Sequence, residues 1–375
     1  MKKQVVFVLA AAAALTGLAG CNKGNGGSDS AAGEALEGEL NLLAGCEEPY
    51  MQAVANAFAA KYNVKVNATR KSSGEIQTQI ENEKGSPSAD VIFGGTTDPY
   101  NALKSEGYLV KYTSANDAKI SDAHFKDPDH YWYGIYKGIL GFMWNKAKLA
   151  ELRLTAPSTW DDLVKPEYKQ YITWSHPQTA GTAKLVVNTI VQKKADGKKV
   201  KYTDSDGVEH EAYDDTAAME WFKQLDANTA TYTKSGSGAS KTVGAGTTVI
   251  GIGFLHDVIY QMVDQKYGDK IGMCAPSDGT SFEVGATAIL KGAKHPNLAK
   301  KFIDFATSAE CVELAAKNGS YQFLVVDGAK QPQAAIDAGV DQVKLMDYDF
   351  DDAKENTAHY VTDWMKAVMK EAPTK

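Results

Sequence analysis

The stretch Tyr131–Asn145, YWYGIYKGILGFMWN, is long and aromatic, and no helix punctuation interrupts it. Its length exceeds that of an ordinary strand, so it reads as a strand that passes from one domain to another. A second run, Lys270–Ala275 (KIGMCA), precedes a loop and another apolar strand and reads as the return crossing. Outward from these two runs, strands alternate with helices. Glu39–Ala44 is a short apolar run, and Tyr50–Tyr62 has helical spacing through Val54, Phe58 and Tyr62. Val64–Ala68 alternates as a strand, Gly74–Lys84 is a polar helix carried by Ile76 and Ile80, Asp90–Phe93 is a buried strand and Pro99–Glu106 a helix. The alternation resumes with Tyr171–Trp174, Ala180–Val191, Thr248–Gly253, Asp257–Lys266, Ala286–Leu290 and Asn297–Thr307. Such repetition predicts an α/β fold with a parallel sheet covered by helices on both faces. The charged stretch at residues 193–215 reads as a surface hairpin.

Two lysines, Lys2 and Lys3, precede an apolar run from Val5 to Ala14 and then small residues up to Leu18-Ala19-Gly20-Cys21. This resembles a bacterial lipoprotein signal, which implies cleavage before Cys21 and acylation of its thiol. A membrane-spanning anchor needs about 20 apolar residues; the run is shorter, and Gly17 and Gly20 interrupt its end, so a cleaved signal fits better. A plain secretory signal is the remaining alternative. Residues 22–38, NKGNGGSDSAAGEALEG, have no apolar periodicity and read as a flexible tether. The formal net charge is −7, which disfavours a nucleic-acid partner. Beyond Cys21 stand Cys46, Cys274 and Cys311, which allow at most one internal disulfide.

Ligands of open parallel sheets bind beyond the carboxyl ends of the strands, so the loops there are the candidate site. Lys71-Ser72-Ser73-Gly74-Glu75 and Gly94-Gly95-Thr96-Thr97-Asp98 each pair glycine with hydroxyls just before a helix. Ser175–Thr182 repeats the device with Thr179, Gly181 and Thr182, and Ser235–Ser240 supplies Ser235 and Ser237. Exposed N–H groups and the dipole at a helix start favour an anion; ordinary N-capping is the plainer account of any one loop. His256 and Asp257 stand where a strand becomes a helix, and Glu283 precedes the apolar run Val284–Leu290. Such groups accept hydrogen bonds from sugar hydroxyls. The alternative is a helix cap at Asp257 and a surface histidine. Asp122, His124, Asp127, Asp129 and His130 read as a solvated loop rather than a metal site, and Tyr131, Trp132, Tyr133 and Tyr136 as packing. No GxSxG elbow, HExxH helix or GxxxxGK[ST] loop occurs, and no cofactor is expected.

The signal, the tether, Ser72-Ser73-Gly74-Glu75, Ser88-Ala89-Asp90-Val91, Pro157-Ser158-Thr159-Trp160-Asp161-Asp162-Leu163 and Ser235–Ser240 resemble the solute-binding proteins of ABC transporters. The similar branch includes ferric-iron, phosphonate and sugar-phosphate binders. The resemblance implies the type II periplasmic-binding-protein fold: two Rossmann-like domains with a ligand cleft between them. Its expected divisions are a signal at residues 1–20, a tether at 21–38, one domain from 39–138 and 275–328, and a second from 139–274 and 329–375. It further implies hinge closure on the ligand, a permease with its ATPase as partners, a lipid anchor on Cys21, a monomer, and no chemistry done on the ligand. The ferric members carry adjacent tyrosines where this chain has Phe254-Leu255-His256-Asp257, and no Tyr-Tyr pair occurs anywhere. The His-Asp pair with Glu283 is similar to the hexose-phosphate binders. Carried over, His256, Asp257 and Glu283 take the sugar, and Ser72, Ser73, Thr179, Gly181 and Thr182 the phosphate or other anion. Ferric-iron or phosphonate binding is the alternative within the family; a phosphate-ester hydrolase or a sensor lipoprotein is the alternative outside it.

Overall fold

The computed structural model describes residues 38–368. The signal segment, Cys21 and tether residues 22–37 lie outside the described residues. In chain order the strands are β1 (Glu39–Ala44), β2 (Lys65–Arg70), β3 (Val91–Thr96), β4 (Leu109–Val110), β5 (Tyr133–Asn145), β6 (Ile172–Ser175), β7 (Lys199–Thr203), β8 (Glu209–Tyr213), β9 (Thr229–Thr233), β10 (Ile250–Phe254), β11 (Ile271–Cys274), β12 (Phe282–Leu290) and β13 (Phe323–Leu324). The main sheet runs β2-β1-β3-β12-β5-β10-β6-β9.

The aromatic run is the spine of this sheet. Residues Tyr133–Ile139 of β5 pair antiparallel with β12, Thr287 facing Tyr133 and Phe282 facing Ile139. From Leu140 onward the partners change to β10, with Phe254 facing Leu140, and to β11, with Cys274 facing Phe142. One strand therefore serves two halves of the fold. The segment expected as the return crossing stays on the second half of β5 as β11. The chain crosses later, in residues 275–281, where the Leu140 amide donates to Ser281 O at 3.2 Å and Thr280 Oγ1 donates to Leu140 O at 3.1 Å.

The expected parallel sheet is present at the flanks, where β1 joins β2 and β3, and β6 joins β9 and β10. The centre is antiparallel, because the outgoing strand β5 and the returning β12 run in opposite directions. Parallel neighbours require long crossovers, here helices, whereas antiparallel ones do not. Each half has its own core. One gathers Tyr50, Phe58, Phe93 and Phe302; the other gathers Phe142, Trp160, Trp174, Phe222 and Trp364. β7 and β8 form the expected charged hairpin. The possible disulfide is not formed: Cys46, Cys274 and Cys311 are all unbonded. No helix among the described residues is long and apolar enough to cross a membrane.

Candidate functional site

Six helices begin around one cavity of about 70 Å³. Their N-cap residues, Glu47, Ser72, Thr96, Ala180, Ser237 and Phe254, all line it. Three of those helices follow β1, β2 and β3 on one side, and three follow β6, β9 and β10 on the other. Each helix start carries partial positive charge and unpaired N–H groups. Only Ser72 among the six caps its helix with a side chain, in a capping box with Glu75. The other five starts have no side-chain cap.

Eleven residues expected from the sequence line this cavity: Ser72, Ser73, Gly95, Thr96, Gly181, Thr182, Ser235, Ser237, His256, Asp257 and Glu283. Thr179 does not. The helix starts only at Gly181, so Thr179 sits in the preceding turn, donates to His176 O and faces a neighbouring groove with Gly74, Glu75 and Lys234. The hydroxyls also divide. Ser72 Oγ donates to Glu75 Oε2 at 2.8 Å, and Ser73 Oγ accepts from the Thr96 amide at 3.1 Å. Thr96 Oγ1, Ser237 Oγ and His256 Nδ1 are buried with no hydrogen-bond partner. A buried polar atom without a partner costs roughly 1–3 kcal/mol. Three such atoms around one cavity, Thr96 on one side and Ser237 and His256 on the other, mark a place built for a polar ligand.

His256 is buried, and burial pushes its pKa down to about 3, so the ring is neutral. Its Nε2 lies 3.9 Å from Asp257 Oδ1. Burial raises the Asp257 carboxyl; Glu47 adds to this, and Lys241 and Arg70 oppose it. Glu283 is raised by burial, then by Asp257 and Asp98. Neither the helix-cap nor the surface reading of His256 and Asp257 holds: the helix starts at Leu255, without a side-chain cap, and both residues are buried. Room for the set comes from Gly138 on β5, where a Cβ would lie 2.6 Å from His256 Cε1 and 2.8 Å from Glu283 Oε1.

Sequence reading missed Arg70, Tyr136 and Gln322, which also line the cavity. Arg70 is the last residue of β2 and donates through Nε to Cys46 O at 3.3 Å. The expected strand ended at Ala68; two further residues of alternation would have found it. Tyr136, read as packing, accepts the Gly95 amide at 2.9 Å on its hydroxyl. Gly94 and Gly95 have φ of 75° and 84°, a backbone region that favours glycine. Across the mouth, Lys234 Nζ meets Glu75 Oε1 at 3.0 Å. The Ser72 amide, followed by Lys234, holds the Glu75 carboxyl down at about 2.

The chain belongs to the bacterial extracellular solute-binding proteins, whose family model matches residues 86–356. It is 35% identical over 352 residues to a Haemophilus influenzae protein described only as uncharacterized, across 90% of this chain and 94% of that one. The Fe(3+)-binding periplasmic protein of Serratia marcescens is 24% identical over 281 residues, 73% of this chain and 75% of its own. Among solved structures, the periplasmic binding protein AfuA from Actinobacillus pleuropneumoniae, with exogenous fructose-6-phosphate bound, matches with a TM-score of 0.79 at 33% identity. That match covers 89% of this chain and 100% of the other. The fold is that of the periplasmic binding proteins, and the protein is an extracytoplasmic solute-binding component of an ABC importer, working with a permease and its ATPase.

Proposed function

We propose that this protein captures a sugar phosphate and delivers it unchanged to its permease. The observation that carries the reading is the convergence of six helix starts on a cavity that also holds His256, Asp257 and Glu283. Phosphate oxygens take the uncapped N–H groups, the Thr96 and Ser237 hydroxyls and Arg70. Sugar hydroxyls bond to neutral His256 and to the two carboxyl groups. The fructose-6-phosphate bound to AfuA supports this class of ligand. Among the described residues Tyr136 is the only tyrosine lining the cavity, and its hydroxyl is raised by burial, which disfavours a phenolate–iron site.

The two domains are 39–138 with 275–328 and 139–274 with 329–375, and the change of β5 partner at Ile139/Leu140 supports that division. Ligand holds them together by hinge closure, with the Lys234–Glu75 pair latching the mouth. Cys21 carries the lipid, and the protein works as a monomer without catalysis. Calorimetric titration with fructose 6-phosphate, glucose 6-phosphate, inorganic phosphate, 2-aminoethylphosphonate and ferric citrate tests the ligand. Hexose phosphates bind tightest if the reading is right. Binding of ferric citrate alone, with visible charge-transfer colour, overturns it. Loss of palmitate labelling on Cys21→Ser tests the anchor.

A further inference from the structure

A second cavity of about 190 Å³ adjoins the first, and Thr96 and Glu283 line both. It has more than twice the volume of the first, and of the candidate ligand loops read from the sequence only Thr96-Thr97-Asp98 and Glu283 reach it; His124, Asp127 and Trp132, read as a solvated loop and as packing, line it too. Its walls are of two kinds. Trp132, Phe282, Tyr348 and Phe350 form an aromatic side, with Phe282 and Phe350 ring centroids 5.2 Å apart and Tyr348 and Phe350 4.8 Å apart. The Trp132 ring is fixed by donation from Nε1 to Asn101 Oδ1 at 3.0 Å. The polar side holds Asp98, Asp127, Lys126 and Lys354.

Two of these four charges are already matched. Lys104 pairs with Asp127 at 2.6 Å, and Lys126 with Asp117 at 3.2 Å. Asp98 makes no hydrogen bond or ion pair; Lys184 acts on it only at longer range, and burial raises its carboxyl. A partnerless carboxyl opposes a second phosphate but accepts hydroxyls. Aromatic faces pack against the C–H side of a sugar ring, and convergent polar groups fix its orientation.

We propose that this cavity is a second subsite, taking an uncharged sugar ring joined to the phosphorylated one, so that phosphorylated disaccharides are ligands. The link between the rings passes Glu283, the wall shared by the two cavities. The proposal rests on the sugar-phosphate reading of the first cavity. Ala123 lines only the second cavity and is exposed, so Ala123→Trp fills the new space without touching the first site.

The test is calorimetric titration of the whole protein and of Ala123→Trp with glucose 6-phosphate, trehalose 6-phosphate and maltose 6′-phosphate. The expected result is that at least one disaccharide phosphate binds the parent within tenfold of glucose 6-phosphate. Ala123→Trp then weakens that disaccharide by roughly tenfold or more while glucose 6-phosphate stays within about twofold. Two results overturn the proposal while leaving the sugar-phosphate reading intact. In one, glucose 6-phosphate binds and both disaccharides bind more than about a hundredfold weaker. In the other, Ala123→Trp changes all ligands alike or none. If no phosphorylated sugar binds the parent, both readings fall together.

Discussion

Gly181→Ala tests whether binding needs the two walls of the cavity to meet. Gly181 opens the helix Gly181–Ala195 on one side, and Thr96 ends β3 on the other. A Cβ at position 181 would sit inside contact distance of Thr96 Oγ1, 2.7 Å from its Cγ2 and 3.1 Å from its Cβ. Threonine is stiff about χ1, and rotating the hydroxyl away leaves the methyl and Cβ in the path. The walls must separate instead. Inserting one methyl into a tight contact typically costs ~1–3 kcal/mol, which raises Kd roughly 5- to 150-fold. When the walls are apart the clash vanishes, and alanine is up to ~1 kcal/mol better than glycine in a helix. The ligand-free melting temperature should therefore hold or rise slightly while hexose-phosphate affinity falls. Calorimetry and thermal melts measure both, and small-angle scattering should show a more open saturated form. Thr96→Ser removes the 2.7 Å contact, so in a double-mutant cycle it should recover part of the loss. Affinity within twofold of the parent, with unchanged melting, would refute the closure argument.

The two serines at helix starts should behave oppositely. Ser72→Ala breaks the capping box and should cost about 1 kcal/mol of stability with little change in affinity. Ser237→Ala removes a partnerless buried hydroxyl, so stability should hold or rise while affinity for a phosphorylated ligand falls by ~1.5–3 kcal/mol; thermal melts and titrations of both variants check the pair. Asp257 and Glu283 hold protons more tightly folded than unfolded, so the folded, ligand-free protein binds more protons and loses stability as pH rises above the ordinary carboxylate range. Glu283→Gln should thus raise the ligand-free melting temperature more at pH 8 than at pH 5, and a larger gain at pH 5 would contradict the burial account. Burial pushes the Cys46 thiol up to about 12 and raises that of Cys311, so neither should react with a thiol reagent at pH 8 until the protein unfolds, a reaction followed by absorbance.

Sequence alone determined the alternation of strands and helices, the long crossing strand and the polar loops at strand ends. These are local properties: apolar spacing, strand length and the glycine, serine and threonine of helix starts are written in neighbouring residues. Hence Glu39–Ala44 is the same strand in both readings, and most of the hydroxyl loops reached the cavity. Capping chemistry looks alike in every loop, however. Only the structure separates Ser72, whose hydroxyl is used within its own helix, from Thr96 and Ser237, whose hydroxyls are left unpaired. The antiparallel centre of the sheet was invisible because strand direction depends on where the chain returns, after residue 274, rather than on composition. Alternation could place Arg70 on β2, but its role at the cavity, like those of Tyr136 and Gly138, was hidden for the same reason. Their roles arise when β2 and β5 bring them against residues far away in the chain. The second cavity depends on contacts between residues 96–132 and 348–354, separated by more than two hundred positions. Local pattern fixes which elements form; burial, orphaned polar atoms and the convergence of six helix starts exist only after long-range packing has brought those elements together.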